Sequence, residues 1–277
     1  MILKLKNLAL RVLVAIFGIP LILGTIYYGR LPFLAVVLLI NVVSQYEFYK
    51  LCEKKDSSPL KIVGIITGIF ITLSFYFHGL LYFWEILIIG VVVSLLAELV
   101  RGKSNATNNF AATITGVIYP VTLFAFLILI REYPKHVDIQ YEDAGLWLIF
   151  VVVTIWICDT AAYFVGSMIG KHKLSPRVSP NKTVEGAIAG FIFSFITAYV
   201  FYLLYPNLFG IWHYMIIAAI VGIFAQVGDL VESIFKRDAG IKDSSSILPG
   251  HGGFLDRFDA PTFLAPIIYL YLIFFVF

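Results

Sequence analysis

The sequence predicts an all-α, polytopic integral membrane protein with about nine transmembrane helices. Three observations carry that prediction. The 277-residue chain is 60% hydrophobic and only 13% charged, with a mean hydropathy of +0.93, whereas a soluble domain carries about 25% charged residues. It contains nine apolar stretches close to the roughly 20 residues that a helix needs to cross a hydrocarbon core ~30 Å thick. Long strands of alternating apolar and polar residues are not seen, so helices rather than a closed barrel must satisfy the backbone in lipid.

The stretch 8–28 follows Lys4, Lys6 and Arg11 as a secretory signal would. It runs long, however, and closes with Gly24-Thr25-Ile26-Tyr27-Tyr28 in place of a small-x-small cleavage site, so it is read as a retained span. The next four stretches are 31–50, 60–78, 82–99 and 110–130, followed by 146–169, 184–205, 211–235 and 261–277. Pro261 would open the last helix, with Asp259 just ahead as its cap. Residues 1–145 and 146–277 read as an N-terminal set of five spans and a C-terminal set of four with the polar loops, within one integrated membrane domain. Cys52 and Cys158 are the only cysteines, one beside a basic loop and one inside a span, and are read as free thiols.

With the N-terminus in the cytoplasm, nine spans leave only Arg30, Arg131 and Lys135 outside among the 20 Lys and Arg residues. That asymmetry fits the positive-inside rule, and missing one early span would invert it. The expected location is the cytoplasmic (inner) membrane, multi-pass, with the polar loops facing the cytoplasm. The same rule explains a basic cytoplasmic face without any nucleotide or lipid phosphate to bind, and no nucleic-acid partner is expected.

Topology does not explain the polar groups that gather at that face. Asp159 lies about ten residues from the cytoplasmic end of its span, and an acid in a helix centre costs about 2.5–3.5 kcal/mol on insertion scales. In GDLVESIFKR, the residues Asp229, Glu232, Ser233 and Lys236 fall at i, i+3, i+4 and i+7, which places them on one helical face. Pairing of the acids with Lys236 or Arg237 would offset their cost. So would a shared cation, and carboxylate oxygens with few His or Cys favour a hard ion such as Mg²⁺. The stretch 236–261, KRDAGIKDSSSILPGHGGFLDRFDAP, adds Gly250, Gly252 and Gly253 beside Lys242, His251, Asp256, Arg257 and Asp259. Such a loop can turn sharply and offer N–H groups to anionic oxygens, while His251 also reads as a structural hydrogen-bonder. In the loop 170–183, Ser179-Pro180-Asn181-Lys182-Thr183 leads into a helix whose N-terminus points to the same face. That arrangement suits a phosphate and is equally compatible with an ordinary cap from Ser179 or Thr183.

Ser233-Ile-Phe-Lys236-Arg237, then Lys242-Asp243, then His251-Gly252-Gly253-Phe-Leu-Asp256-Arg257-Phe-Asp259 resembles the signature of the CDP-diacylglycerol synthase family, also called phosphatidate cytidylyltransferase. The segment CDTAAYFVGSMIGKHKLSPRVSPNKTVEG is similar to that family too, so the likeness is close over roughly 150–277 and rests on hydrophobicity alone before that. The resemblance implies that a phosphatidate phosphate attacks the α-phosphorus of CTP, giving CDP-diacylglycerol and pyrophosphate, with Mg²⁺ required. It implies metal binding by Asp229 and Asp256, allows a monovalent cation such as K⁺ at the same site, and suggests a homodimer. Lys236, Arg237, Lys242 and Arg257 are then candidates, with the two aspartates, for the catalytic centre. Lys182, Ser179, Thr183, Ser233, His251, Gly252, Gly253 and Asp159 are candidates for substrate binding. A transporter is disfavoured because no internal repeat is found and the polar residues gather at one face rather than at the midplane. A related enzyme acting on another lipid acceptor differs only in groove walls that the sequence does not display.

Overall fold

The computed structural model describes residues 2–135, 140–247 and 252–276, with the side chains of 2–14 and 135 left out of the description. Its helices are α1 (Ile2–Tyr28), α2 (Arg30–Glu53), α3 (Lys61–His78), α4 (Phe83–Arg101), α5 (Ala106–Val117), α6 (Leu123–Arg131), α7 (Tyr141–Ile169), α8 (Val184–Leu204), α9 (Ile211–Asp238) and α10 (Leu255–Tyr271). A π-helical turn, Ile118–Thr122, joins α5 and α6 into one span around Pro120, whose missing N–H removes a helical hydrogen bond; a second, Leu272–Val276, extends α10. Among the described residues, eight helical segments are long and apolar enough to cross a membrane. They correspond to the second through ninth expected spans. The first expected span lies within α1, where the described part, Ala15–Tyr28, is a shorter apolar helix and the side chains of 8–14 fall outside the description.

Two local features depart from expectation. The loop 170–183 contains an antiparallel hairpin, β1 (Lys173–Ser175) with β2 (Ser179–Thr183), pairing Lys173 with Thr183 and Ser175 with Ser179. The last helix starts at Leu255 rather than Pro261, so Pro261 and Pro266 lie inside it. The early start has a tertiary cause: a buried carboxylate from α2 accepts the Phe254 and Leu255 N–H groups. A helix end capped from 200 residues away leaves no mark in its own local sequence.

The loops segregate into two faces. On one, Lys55 pairs with Asp238, Arg101 donates to the Ser58 carbonyl, and Arg237 donates to the Val178 carbonyl. On the other, the Arg30 N–H reaches Glu132 and the Tyr141 hydroxyl, while Arg131 donates to the carbonyls of Ile26, Tyr27 and Tyr141. This is the alternation that the span count requires. One apolar core runs through both sets of spans, from Ile26 and Val37 through Phe150 and Val221 to Leu264 and Ile268. Within it α7, α8, α9 and α10 pack side by side, and α10 also lies against α6 and α2.

Candidate active site

Close packing of α9 against α10 creates the site. A Cβ at Gly228 would sit 3.0 Å from the Asp259 carbonyl oxygen and 3.1 Å from the Ala260 Cα, so only a residue without a side chain lets the two backbones meet there undisturbed. Asp229 follows at once and Glu232 lies one turn on, both facing Asp259 across the contact. One carboxylate oxygen from each of Asp229, Glu232 and Asp259 lies within 4.8 Å of the others. The Glu232 side chain is 1% exposed; among the described residues its only ion-pair partner is Lys236, at 2.5 Å, and neither of its oxygens accepts a regular hydrogen bond.

Lys236 connects this cluster to a second node. Its ammonium sits between Glu232 and Asp256, 2.7 Å from Asp256 Oδ1. Asp256 also accepts the Ser244 N–H at 2.9 Å, the Ser244 hydroxyl at 2.9 Å and the Gly253 N–H at 2.8 Å, all on Oδ2. Its carboxylate is thus 4% exposed and surrounded by donors. The two aspartates that the resemblance assigns to metal stand in different company: Asp229 with Glu232 and Asp259, Asp256 with Lys236 and the loop.

On the other flank, Lys182 Nζ is 2.7 Å from Asp229 Oδ2, and the Ser233 hydroxyl donates to Asp229 Oδ1 at 3.3 Å. Asp159, on α7, is exposed, and the charges acting on it come from Lys182, Asp229 and Arg257.

The remaining candidates divide by what occupies them. Thr183 is buried and caps α8, its hydroxyl accepting the Gly186 N–H at 3.2 Å. The Val184 N–H goes to the His172 carbonyl, and Glu185 in the same turn pairs with His172. Several of the donors expected to cradle a phosphate at this helix end are therefore engaged, which leaves the Lys182 side chain as the main cationic group there. Ser179 belongs to the hairpin register. Arg237 ties the end of α9 to the hairpin through the Val178 carbonyl and to the Ile241 carbonyl. Lys242 and Arg257 are exposed beside the loop. Gly252 adopts φ +86°, in the left-handed region that favours glycine. His251 lies outside the described residues.

The donor set of the cluster fits a hard divalent cation. It offers carboxylate oxygens alone, close enough to converge on one ion, and includes a buried carboxylate with spare acceptor capacity.

A model described as the cytidylyltransferase family matches residues 9–275. The chain belongs to the cytidylyltransferase family. It is 34% identical over 268 residues to a phosphatidate cytidylyltransferase of Bacillus subtilis, an alignment covering 95% of this chain and 96% of that protein. Proteins of the same name from Staphylococcus saprophyticus and Staphylococcus aureus are 48% and 45% identical over 135 residues, 48% of this chain and 52% of each relative.

In this cytidylyltransferase-family chain, reading the sequence did not select Glu47. It lies on α2 and is 2% exposed. Its oxygens accept from Ser244, Ser245, Phe254 and Leu255. The signal that could have found it is a single acid in Gln45-Tyr46-Glu47-Phe48, inside the predicted span 31–50.

Proposed function

We propose that this protein transfers CMP from CTP to phosphatidate, releasing pyrophosphate and forming CDP-diacylglycerol. The observation that carries the reading is the convergence of Asp229, Glu232 and Asp259 beside Lys182 and Lys236, in a chain that matches the family nearly end to end. The names of the relatives supply the acceptor and the nucleotide.

The reaction needs no covalent nucleophile from the protein. A phosphatidate oxygen attacks the α-phosphorus of CTP, the new P–O bond forms as the bond to the β-phosphate oxygen breaks, and the electron pair leaves with pyrophosphate. The work of the protein is to bring two polyanions together and neutralise them. Asp229, Glu232 and Asp259 would hold Mg²⁺, which when bound supplies positive charge against the triphosphate. Asp256 acts on that cluster through Lys236. Ser233 orients Asp229. Lys182 bridges the acids and the incoming phosphates from the hairpin side, and the exposed Arg257 and Lys242 reach phosphate oxygens from the loop side. The excess of lysines and arginines on this face supports a cytoplasmic orientation, on the side where CTP is found. Phosphatidate enters from the bilayer, its phosphate at the level of Lys182 and its chains in lipid.

The reading is tested with purified protein and labelled CTP by offering phosphatidate, an isoprenoid phosphate and an ether-lipid phosphate in turn. Label entering phosphatidate with clear preference supports it; label entering only another acceptor moves the chain to a different substrate within the family.

A further inference from the structure

We infer that Glu47, contributed by the N-terminal set of helices, is the positioning residue that fixes the glycine-rich loop and the start of α10, and thereby sets Asp256 against Lys236 and Asp259 against Asp229. This rests on the function proposed above for its catalytic consequence, though its structural part stands without it.

Glu47 Oε2 accepts the Leu255 N–H at 2.8 Å and the Ser244 hydroxyl at 3.2 Å. Oε1 accepts the Phe254 N–H at 3.2 Å and the Ser245 hydroxyl. All four partners are donors, the single Ser244 hydroxyl proton being shared with Asp256, so an acceptor-only carboxylate matches them as no amide can. No lysine or arginine among the described residues pairs with Glu47; its charge faces the N-terminal end of α10 instead. The loop is built around it. A Cβ at Gly253 would lie 2.5 and 2.6 Å from the two Glu47 oxygens, so the backbone there comes as close as a residue without a side chain allows. Ser244 then relays the constraint: its hydroxyl contacts Glu47 and Asp256 together, and its N–H holds Asp256 as well. Displacing Glu47 frees both ends of the loop at once.

The test uses the full chain in detergent with Glu47→Gln, which sets one acceptor oxygen and one NH₂ group against four donors, and with Glu47→Asp, which keeps the carboxylate on a shorter arm. Amide exchange and kinetics per folded molecule are read together. The expected result is exchange in 252–258 accelerated about tenfold or more with α7 and α8 unchanged, opening being local. Alongside it, kcat falls about tenfold or more with little change in KM for CTP, as misplaced groups predict, and Glu47→Asp recovers part of both. Unchanged exchange in 252–258, or a native kcat per folded molecule, overturns the inference. Should Glu47→Gln not fold, Ser245→Ala removes one partner of the same carboxylate, and native exchange and kcat in that variant overturn it equally. A wild type inactive with every phosphatidate would sink the proposed function, and the exchange measurement would still decide the role of Glu47.

Discussion

Lys236 stands between Glu232 and Asp256, 2.5 Å from one carboxylate and 2.7 Å from the other, and is the sole link between the carboxylate cluster and the glycine-rich loop that the described ion pairs show. It divides the acids into two groups with different expected behaviour.

Asp229→Asn and Asp259→Asn should each raise the Mg²⁺ concentration needed for half-maximal activity, because each removes an oxygen from the cluster. Asp256→Asn should instead lower maximal activity by about 10- to 100-fold, the usual effect of disturbing a group behind a metal ligand, with a smaller shift in Mg²⁺ dependence. Mg²⁺ titrations of the three variants check this. If Asp256→Asn gives the largest shift in Mg²⁺ dependence, Asp256 touches the metal directly.

Lys236→Met leaves two buried carboxylates without their shared cation. Breaking a buried ion pair by removing one partner costs about 3–5 kcal/mol. The melting temperature in detergent should fall accordingly, and adding Glu232→Gln should restore part of it. A single variant as stable as wild type would show that water already solvates these acids.

Gly228→Ala tests the backbone contact that brings the acids together. Its new methyl would stand 3.0–3.1 Å from α10 atoms, so the helices must part by a few tenths of an ångström. A stability loss of about 1–3 kcal/mol is expected, with activity reduced about 10- to 100-fold through misplaced ligands. Loss of stability with full activity per folded molecule would mean that the cluster tolerates the shift.

Lys55→Ala is the contrasting case. The Lys55–Asp238 pair joins the turn after α2 to the end of α9 at 2.9 Å with both side chains about half exposed. Exposed pairs contribute about 0–1 kcal/mol. Melting temperature and activity should both stay near wild type, which shows that the larger effects above are not general to this face.

The spans were legible because a bilayer imposes length and composition on each helix, and the eight later segments lie where hydropathy places them. The face shared by Asp229, Glu232, Ser233 and Lys236 was legible from helical spacing. What could not be read was which acid groups with which. Asp256 and Asp259 sit three residues apart on one helix, yet the first turns toward Lys236 and Ser244 and the second toward Asp229, a division made by the α9–α10 contact at Gly228. The α10 start and Glu47 were hidden for the same reason: their partners are separated by about 200 residues, beyond any local pattern.

The central claim is that Asp229, Glu232 and Asp259 form a Mg²⁺ site that drives CMP transfer to phosphatidate. The most direct measurement is pyrophosphate release from CTP by detergent-purified protein, with and without phosphatidate and Mg²⁺, beside the Asp229→Asn variant. The account predicts release that requires both phosphatidate and Mg²⁺ and falls sharply in the folded variant at a Mg²⁺ concentration that saturates wild type. Release that persists without Mg²⁺, or undiminished in Asp229→Asn, would contradict it.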